Sequence, residues 1–426
     1  MIKRVFITTI IMMLSVIGAF NAAFSGDLTF EVKSNLNAGI TKVDITPPIG
    51  MPLRGYSERT AGSIGIRDPL RAAVLVLDDG STKAAIIGLD VIGISYDGTA
   101  AMRNAVAEKT GVPEENILIG ASHTHASPGF NHDTDWGQQI IKKVAGAAWL
   151  AMQEMRPVSI GYGENMISFN VNRRLIVEGE SQMQPNPGGP NDTRVKVLRF
   201  DDGSSLTPMA ILMHAVCHSN VFRMNNLHVS GDFPGEAQHF IERVYGYKTK
   251  TLFLQGCCGD IRANLPGIPG VLPYPQFRSG NEADMQWAGM DLGCAVVSTS
   301  GRLIVHEELL KRPSEYKIKC ASESLSLPGK QDKTVRFDIQ ALRIGDFMFI
   351  ALPGEPFVEY GLNIEKVVGD RAKTFVVGYA NGSVGYICTE ESYNYKGYEP
   401  NASRLESNAE KIILKEAALL IDKMLK

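Results

Sequence analysis

The stretch VKVLRFDDGSSLTPMAILMHAVCH, residues 195–218, sets two apolar runs on either side of an Asp-Asp-Gly-Ser corner. The two runs are rich in strand-forming residues, and Asp-Gly is turn chemistry that folds one strand back on the next. The same shape recurs at VLVLDDGSTKAAIIGLD (74–90) and VRFDIQALRIGDFMFIALPGE (335–355). In each, the second strand runs out into a side chain capable of chemistry: Asp90, the His214/His218 pair, or Glu355. Two single runs end likewise, ILIGASHTH at His123 and His125, and TLFLQGCCGD at Asp260. These strand ends are predicted to converge.

Helical periodicity separates the strands, at 98–109, 137–155, 233–245, 284–311 and 406–426. Strands mixed with helices imply an α/β protein whose site lies at the carboxyl ends of strands. The paired DDGS hairpins are the one repeat that is read, and hairpin chemistry alone would suffice to explain their likeness, which leaves a true repeat open. GIPGVLPYPQFRSG (267–280) is rich in Pro and Gly, which predicts an ordered surface loop and a candidate lid.

The chain has 426 residues, 44% of them hydrophobic, enough for a large core in one big domain or two ordinary ones. Residues 1–25 place Lys3 and Arg4 before an apolar run and close on Ala23-Phe24-Ser25, the pattern of a secretory signal peptide. The competing reading is an uncleaved anchor helix, for which the apolar run is short. No later run is long or apolar enough to span a membrane, so the mature protein is expected to be secreted, to the periplasm or beyond.

Loss of Lys3 and Arg4 takes the formal charge from −3 to −5, and no dense Lys/Arg cluster follows, so nucleic acid is not expected as a partner. Six cysteines are too sparse for a disulfide-built scaffold, and their pairing stays open. Without a CxxC pair, a four-cysteine zinc site is disfavoured.

Seven of the eight histidines (123, 125, 132, 214, 218, 228 and 239) fall in one stretch of the chain, which also carries Asp133 and Asp232. In a strand, residues i and i+2 point to one face, so His123 and His125 project together. Such a pair is a metal or catalytic site, or a hydrogen-bonded structural pair. Spacing alone leaves both open.

In order along the chain, AGITKVDITPPIGMPLRGY, IRDPLRAAVLVLDDG, SHTHASPGF, VNRRL, VCHSNV with SGDFPGEA, GCCGDIRAN, LPGEPF and GYICTEESYNYKGY resemble the motifs of the neutral (alkaline, non-lysosomal) ceramidases. The resemblance covers most of residues 38–400. It implies layered mixed β-sheets flanked by helices, and one zinc ion (Zn2+) per chain held by His123, His218, Glu355 and Tyr386. His214, four residues before His218, competes for its place. The resemblance makes His125 the general acid/base and Tyr398 an oxyanion donor, with Tyr393 and Tyr395 as nearby competitors. Arg173 becomes a substrate contact, with Arg174 beside it read as a solvated charge, and Gly50 a glycine near the substrate. Asp68, Asp90, Asp192, Asp232 and Asp260 are candidate partners behind the ligands or turn and cap residues, with Asp260 also a substrate-binding candidate.

One position departs from the family. Where its members have an active-site serine two residues after Gly-Asp, this chain has Arg262, which brings a fixed charge suited to an anionic or sugar-like group. Family members also continue into a C-terminal β-sandwich beyond the point matching Lys426. The expectation is a signal peptide over 1–25 and one catalytic domain over 26–426. Cys257 and Cys258 read as packing or redox residues rather than nucleophiles.

The combined reading is a secreted zinc hydrolase of an N-acyl amide bond, in sphingolipid metabolism or on another N-acyl compound, with a small-molecule, lipid or glycan substrate. Its alternatives are a zinc enzyme acting on an extracellular glycan and a non-catalytic binding protein. The sequence leaves the oligomeric state open.

Overall fold

The computed structural model describes residues 29–267, 276–305, 308–309 and 311–426; the segment read as a signal peptide and the middle of the 267–280 loop, the candidate lid, lie outside the described residues. Three sheets are each built by the same succession of elements. The first takes β1 (Asn37–Asp44), β2 (Arg71–Asp78) and β3 (Lys83–Leu89), crosses through helix α1 (Tyr96–Thr110) to β4 (Ile117–Ala121), and adds α2 (Asp135–Gln153). The second takes β5 (Ser159–Met166), β6 (Arg194–Asp201), β7 (Ala210–Ala215), α3 (Asp232–Val244), β8 (Lys250–Gln255) and α4 (Glu282–Arg302). The third takes β9 (Ile318–Gly329), β10 (Lys333–Ile344), β11 (Phe347–Ala351), α5 (Val358–Val368), β12 (Lys373–Val377) and α6 (Ala409–Leu425).

In every sheet the first three strands are antiparallel neighbours and the fourth joins the third in parallel. The α/β class and the mixed sheets are as expected. The likeness of the hairpins, left open by the sequence, goes beyond turn chemistry, since the hairpins are the centres of three topologically equivalent units. The units share a pairing pattern rather than residues, which hides the repeat from sequence. Each corner still obeys its local chemistry: Asp79 accepts from the amides of Ser81 and Thr82, Asp202 from Ser204, and a left-handed glycine completes each turn (Gly80, Gly203, Gly345).

Alternation within the strands decides which residues meet. Leu75, Leu198, Leu212, Leu342, Phe349 and Phe375 send side chains from all three sheets into one shared core. Their strand neighbours face outward, where Val74 and Ile119 meet α1 and α2, Met213 and Phe253 meet α3 and α4, and Ile350 and Val376 meet α5 and α6. The result is a three-sided core of sheets with a helix pair on each side. Phe349 and Phe375 stack in its middle, ring centroids 4.8 Å apart. Phe349→Ala is therefore expected to cost about 3–5 kcal/mol in denaturant unfolding, through lost contacts and a cavity that three sheets cannot collapse around.

Helix limits follow capping. Ser95 caps α1 by accepting from Gly98 N, Thr134 caps α2, and Asn281 with Asp284 forms a capping box on α4. The 284–311 expectation is too long. α4 stops at Arg302, just after Gly301 and after Thr299, whose hydroxyl bonds back to Ala295 O at 2.8 Å. Helix α5, eleven residues in the third unit, was not foreseen because its apolar face is short. Among the described residues no helix is long and apolar enough to cross a membrane.

Candidate metal centre

The six strand ends β3, β4, β7, β8, β11 and β12 come out at the same end of this arrangement. His123 follows β4, His218 follows β7, and Glu355 follows β11, so one residue from each unit meets at the shared end. His123 Nε2 lies 3.4 Å from Glu355 Oε2, and His218 Nε2 lies 3.3 Å from the same oxygen. His125 Nε2 is 3.2 Å from His123 Nε2. The three imidazoles form a cluster whose nitrogens could hold one metal ion.

The Nδ1 atoms fix the tautomers. His123 Nδ1 donates to Ile92 O at 2.6 Å and His218 Nδ1 to Cys258 O at 2.5 Å, so each Nε2 turns a lone pair towards Glu355. These are lone pairs facing a carboxylate without a proton between them. His218 Nε2 and Glu355 Oε2 are buried and have no hydrogen-bond partner. A cation at their meeting point removes that cost, so this donor set fits a metal.

Burial, with the Arg173 charge, lowers the His218 pKa to about 4, and burial with its two sister imidazoles lowers that of His125. Burial would raise the carboxyl of Glu355, but His123 and His218 hold it well below the usual carboxylate range. Neutral imidazoles and an ionised carboxylate are the forms that bind metal.

Glu355 and Tyr386 are direct partners in a two-strand parallel bridge, Glu355–Pro356 with Tyr386–Ile387, which turns both side chains to one face. Tyr386 Oη accepts from Arg173 Nη2 at 3.1 Å, and Arg173 Nε donates to Glu399 at 2.8 Å. The Tyr398 ring lies 5.6 Å from that of Tyr386 and is 57% exposed, at the rim. A cavity of about 310 Å³ joins His123, His125, Glu355, Tyr386 and Tyr398.

Other expected residues lie outside the lining of this cavity. His214 points into the shared core and bonds Val376 O at 3.0 Å, so the geometry favours His218 over it. Gly50 occupies an exposed turn outside the cavity lining. Asp260 accepts from Val358 N and Asn172 and faces a separate small cavity. Arg262 is buried over the Phe277 ring. Tyr393 bonds Leu405 O, and Tyr395 faces the same separate cavity as Asp260. Arg174 is not a solvated charge, since it is buried and paired with Glu399. None of the five aspartates bonds a histidine of the cluster; main-chain carbonyls do that work. All six cysteines are free thiols, and burial pushes those of Cys257 and Cys258 up, away from nucleophilic use.

Two residues escaped the sequence reading. Tyr379, after β12, stacks on His123 at 4.0 Å and meets the Cys258 thiol at 3.2 Å. The strand-end rule applied to KTFVVGY would have found it. His123 and Tyr379 both have positive φ, 60° and 54°, and such strain in non-glycine residues concentrates at functional sites. The other is Gly55, where an added Cβ would stand 2.3 Å from His125 Nδ1. Gly55→Ala is expected to displace His125 and lower kcat by about 10²-fold with metal content unchanged, as elemental analysis beside a turnover assay will read.

A family profile described as neutral/alkaline non-lysosomal ceramidase, N-terminal, matches residues 36–269. The chain belongs to that family. The neutral ceramidase of Pseudomonas aeruginosa is 22% identical, over 85% of this chain and 68% of its own length. That of Mycobacterium tuberculosis is 21% identical, over 81% and 70%. The crystal structure of the Pseudomonas aeruginosa neutral ceramidase superposes with a TM-score of 0.74 at 18% identity, covering 92% of this chain and 75% of that one. A structure described as ceramidase complexed with C2 gives 0.76 at 16%, covering 92% and 76%. The neutral ceramidase fold is thus this chain's fold, and the family is one of N-acyl amide hydrolases.

Proposed function

We propose that the chain cleaves the N-acyl amide bond of a lipid-like substrate with one zinc ion held by His123, His218, Glu355 and Tyr386. The observation that supports this reading is the meeting of His123, His218 and Glu355 from three separate units beside one cavity, with His218 Nε2 and Glu355 Oε2 buried and without a partner. When bound, zinc would bring the pKa of a water ligand to about 7 and polarise the amide carbonyl. The remaining steps belong to the chain. His125, neutral and beside His123, takes the proton of the attacking water and hands it to the leaving amine. Tyr398, at the rim, donates to the developing oxyanion. Arg173, braced by Glu399, positions the Tyr386 hydroxyl. Ile92, Ile94 and Phe130 line the cavity and offer an acyl chain an apolar seat.

We read residues 26–426 as one catalytic domain, exported after loss of 1–25, with sphingolipid metabolism as its setting. The relatives bear the name ceramidase, which makes ceramide the first substrate to try. The test is to incubate the protein with ceramide, an N-acylethanolamine and an N-acylglycine, with and without a zinc chelator, and to follow fatty acid by mass spectrometry. Chelator-sensitive release, restored by added zinc, is the expected result. Release that ignores the chelator, or intact amides beside a cleaved acidic oligosaccharide, would overturn the proposal.

A further inference from the structure

Arg262 is the charged side chain that this chemistry leaves unused. It sits on the short strand Ile261–Ala263, opposite Val171 on one side and bridged in parallel to His218 on the other. Bridge partners project to the same face of a sheet, so Arg262 leaves on the face that His218 uses, with Arg173 two residues from Val171 on that face as well. The guanidinium stacks 4.3 Å over the Phe277 ring and is 2% exposed. Its Nε and Nη2 are sealed from solvent and have no hydrogen-bond partner among the described residues. Tyr56, Cys217, Arg223 and Arg173 act on its charge, and among the described residues no carboxylate meets its Nε or Nη2. Burial lowers its pKa to about 10, which still leaves it charged at neutral pH.

Nε and Nη2 form one edge of the guanidinium. In Arg194 of this chain the same edge grips Asp192 through two bonds of 2.8 and 2.7 Å. In Arg262 that edge has no partner among the described residues. A buried, unpaired guanidinium is costly, and a two-oxygen anion is the partner that this edge matches. The surroundings point the same way. Tyr56, which lies in the field of Arg262, stands edge-on to His125 with centroids 5.1 Å apart. Arg59 donates to His125 O at 2.7 Å, its other bonds going to main-chain carbonyls. Tyr56 thus touches the His125 ring and feels the charge of Arg262, and Arg59 adds a second cation at the His125 main chain.

We propose that the amine portion of the substrate carries a carboxylate, held by the Nε–Nη2 edge of Arg262, which makes the substrate class an N-acyl amino acid. This rests on the amidase reading, with the acyl chain in the apolar seat and the charged end towards the arginines.

The probes are N-lauroylglycine and the neutral N-lauroylethanolamine, which share one acyl chain. The wild type is expected to favour the glycine conjugate in kcat/KM by about 10- to 100-fold, the range of one charge-assisted pair. Arg262→Gln should bring that ratio close to one, and Arg262→Lys, which keeps the charge without the fork, should recover part of it. Calorimetric binding of N-lauroylglycine should weaken at least about tenfold in Arg262→Gln. Arg262→Met should unfold at a higher temperature than the wild type, whereas a structural arginine would give a lower Tm on replacement. Equal ratios in wild type and Arg262→Gln, or a lowered Tm in Arg262→Met, overturn the proposal. If the wild type cleaves neither amide, calorimetry decides alone: weaker binding to the variant upholds the carboxylate site while the amidase reading falls, and equal binding removes the site.

Discussion

Glu355→Gln is expected to empty the metal centre and to lower amide hydrolysis by about 10³-fold or more, since charge stabilisation by a catalytic metal is worth several kcal/mol and each 1.36 kcal/mol is a factor of ten. Glutamine keeps the shape and the bridge to Tyr386 but removes the negative charge that faces His123 and His218. Those two imidazoles present lone pairs because their Nδ1 atoms are committed to carbonyls. With a neutral amide between them, the site can satisfy itself without a cation: the amide N–H₂ donates to an Nε2, and the affinity for metal falls. Elemental analysis by mass spectrometry should read less than about a tenth of the wild-type metal, with the circular dichroism spectrum unchanged. A fully loaded and active Glu355→Gln enzyme would remove Glu355 from the ligand set.

His125→Ala is expected to do the reverse: metal stays, and kcat falls by about 10²- to 10⁴-fold, the usual contribution of a positioned acid/base group. The side chain is placed with care. Its amide donates to Ser219 O at 2.9 Å, its carbonyl accepts from Arg59, and Gly55 leaves room for its ring. Burial and the neighbouring imidazoles keep it unprotonated, ready to receive a proton. Its Nε2 nevertheless lies near enough to His123 and His218 to belong to a three-histidine set. Measuring metal and turnover on one sample separates the roles. Loss of both together would make His125 a ligand, and loss of turnover alone makes it the proton carrier.

Much of the site was legible because polar residues follow apolar strands in the sequence. His123, His125, His218 and Glu355 were each reached by reading where an apolar run gives out. Tyr379 obeys the same rule and was missed only because no histidine or acid marks its strand end. The aspartates were less legible. Asp90 and Asp260 also follow apolar runs, but they accept main-chain amides of Arg71 and Val358 and fasten neighbouring segments. Nothing local distinguishes a carboxylate that will meet an amide from one that will meet a metal.

The choice between His214 and His218 needed the register. His214 pairs with Lys196 inside the second sheet and shares its inward face, so its ring ends among the packed strands against Val376 O. His218 lies past the end of β7, where the chain is free to turn its ring towards Glu355. Four residues of sequence separate them, and the end of a strand separates their roles. Arg262 shows the same limit. Its departure from the family is visible in the sequence, but the empty edge of its guanidinium is visible only once Phe277 is packed over it and Nε and Nη2 are buried without a partner.

By itself the sequence determined the α/β class, the three hairpins, most of the helices and the identity of the residues capable of chemistry. These depend on local periodicity, turn chemistry and capping, which act over a few residues. The tertiary structure alone decided that the hairpins belong to three equivalent units, and that a histidine, another histidine and a glutamate from different units meet within 3.3–3.4 Å. Atoms so far apart along the chain meet only because three sheets close around one core, and that closure depends on the packing of the whole chain.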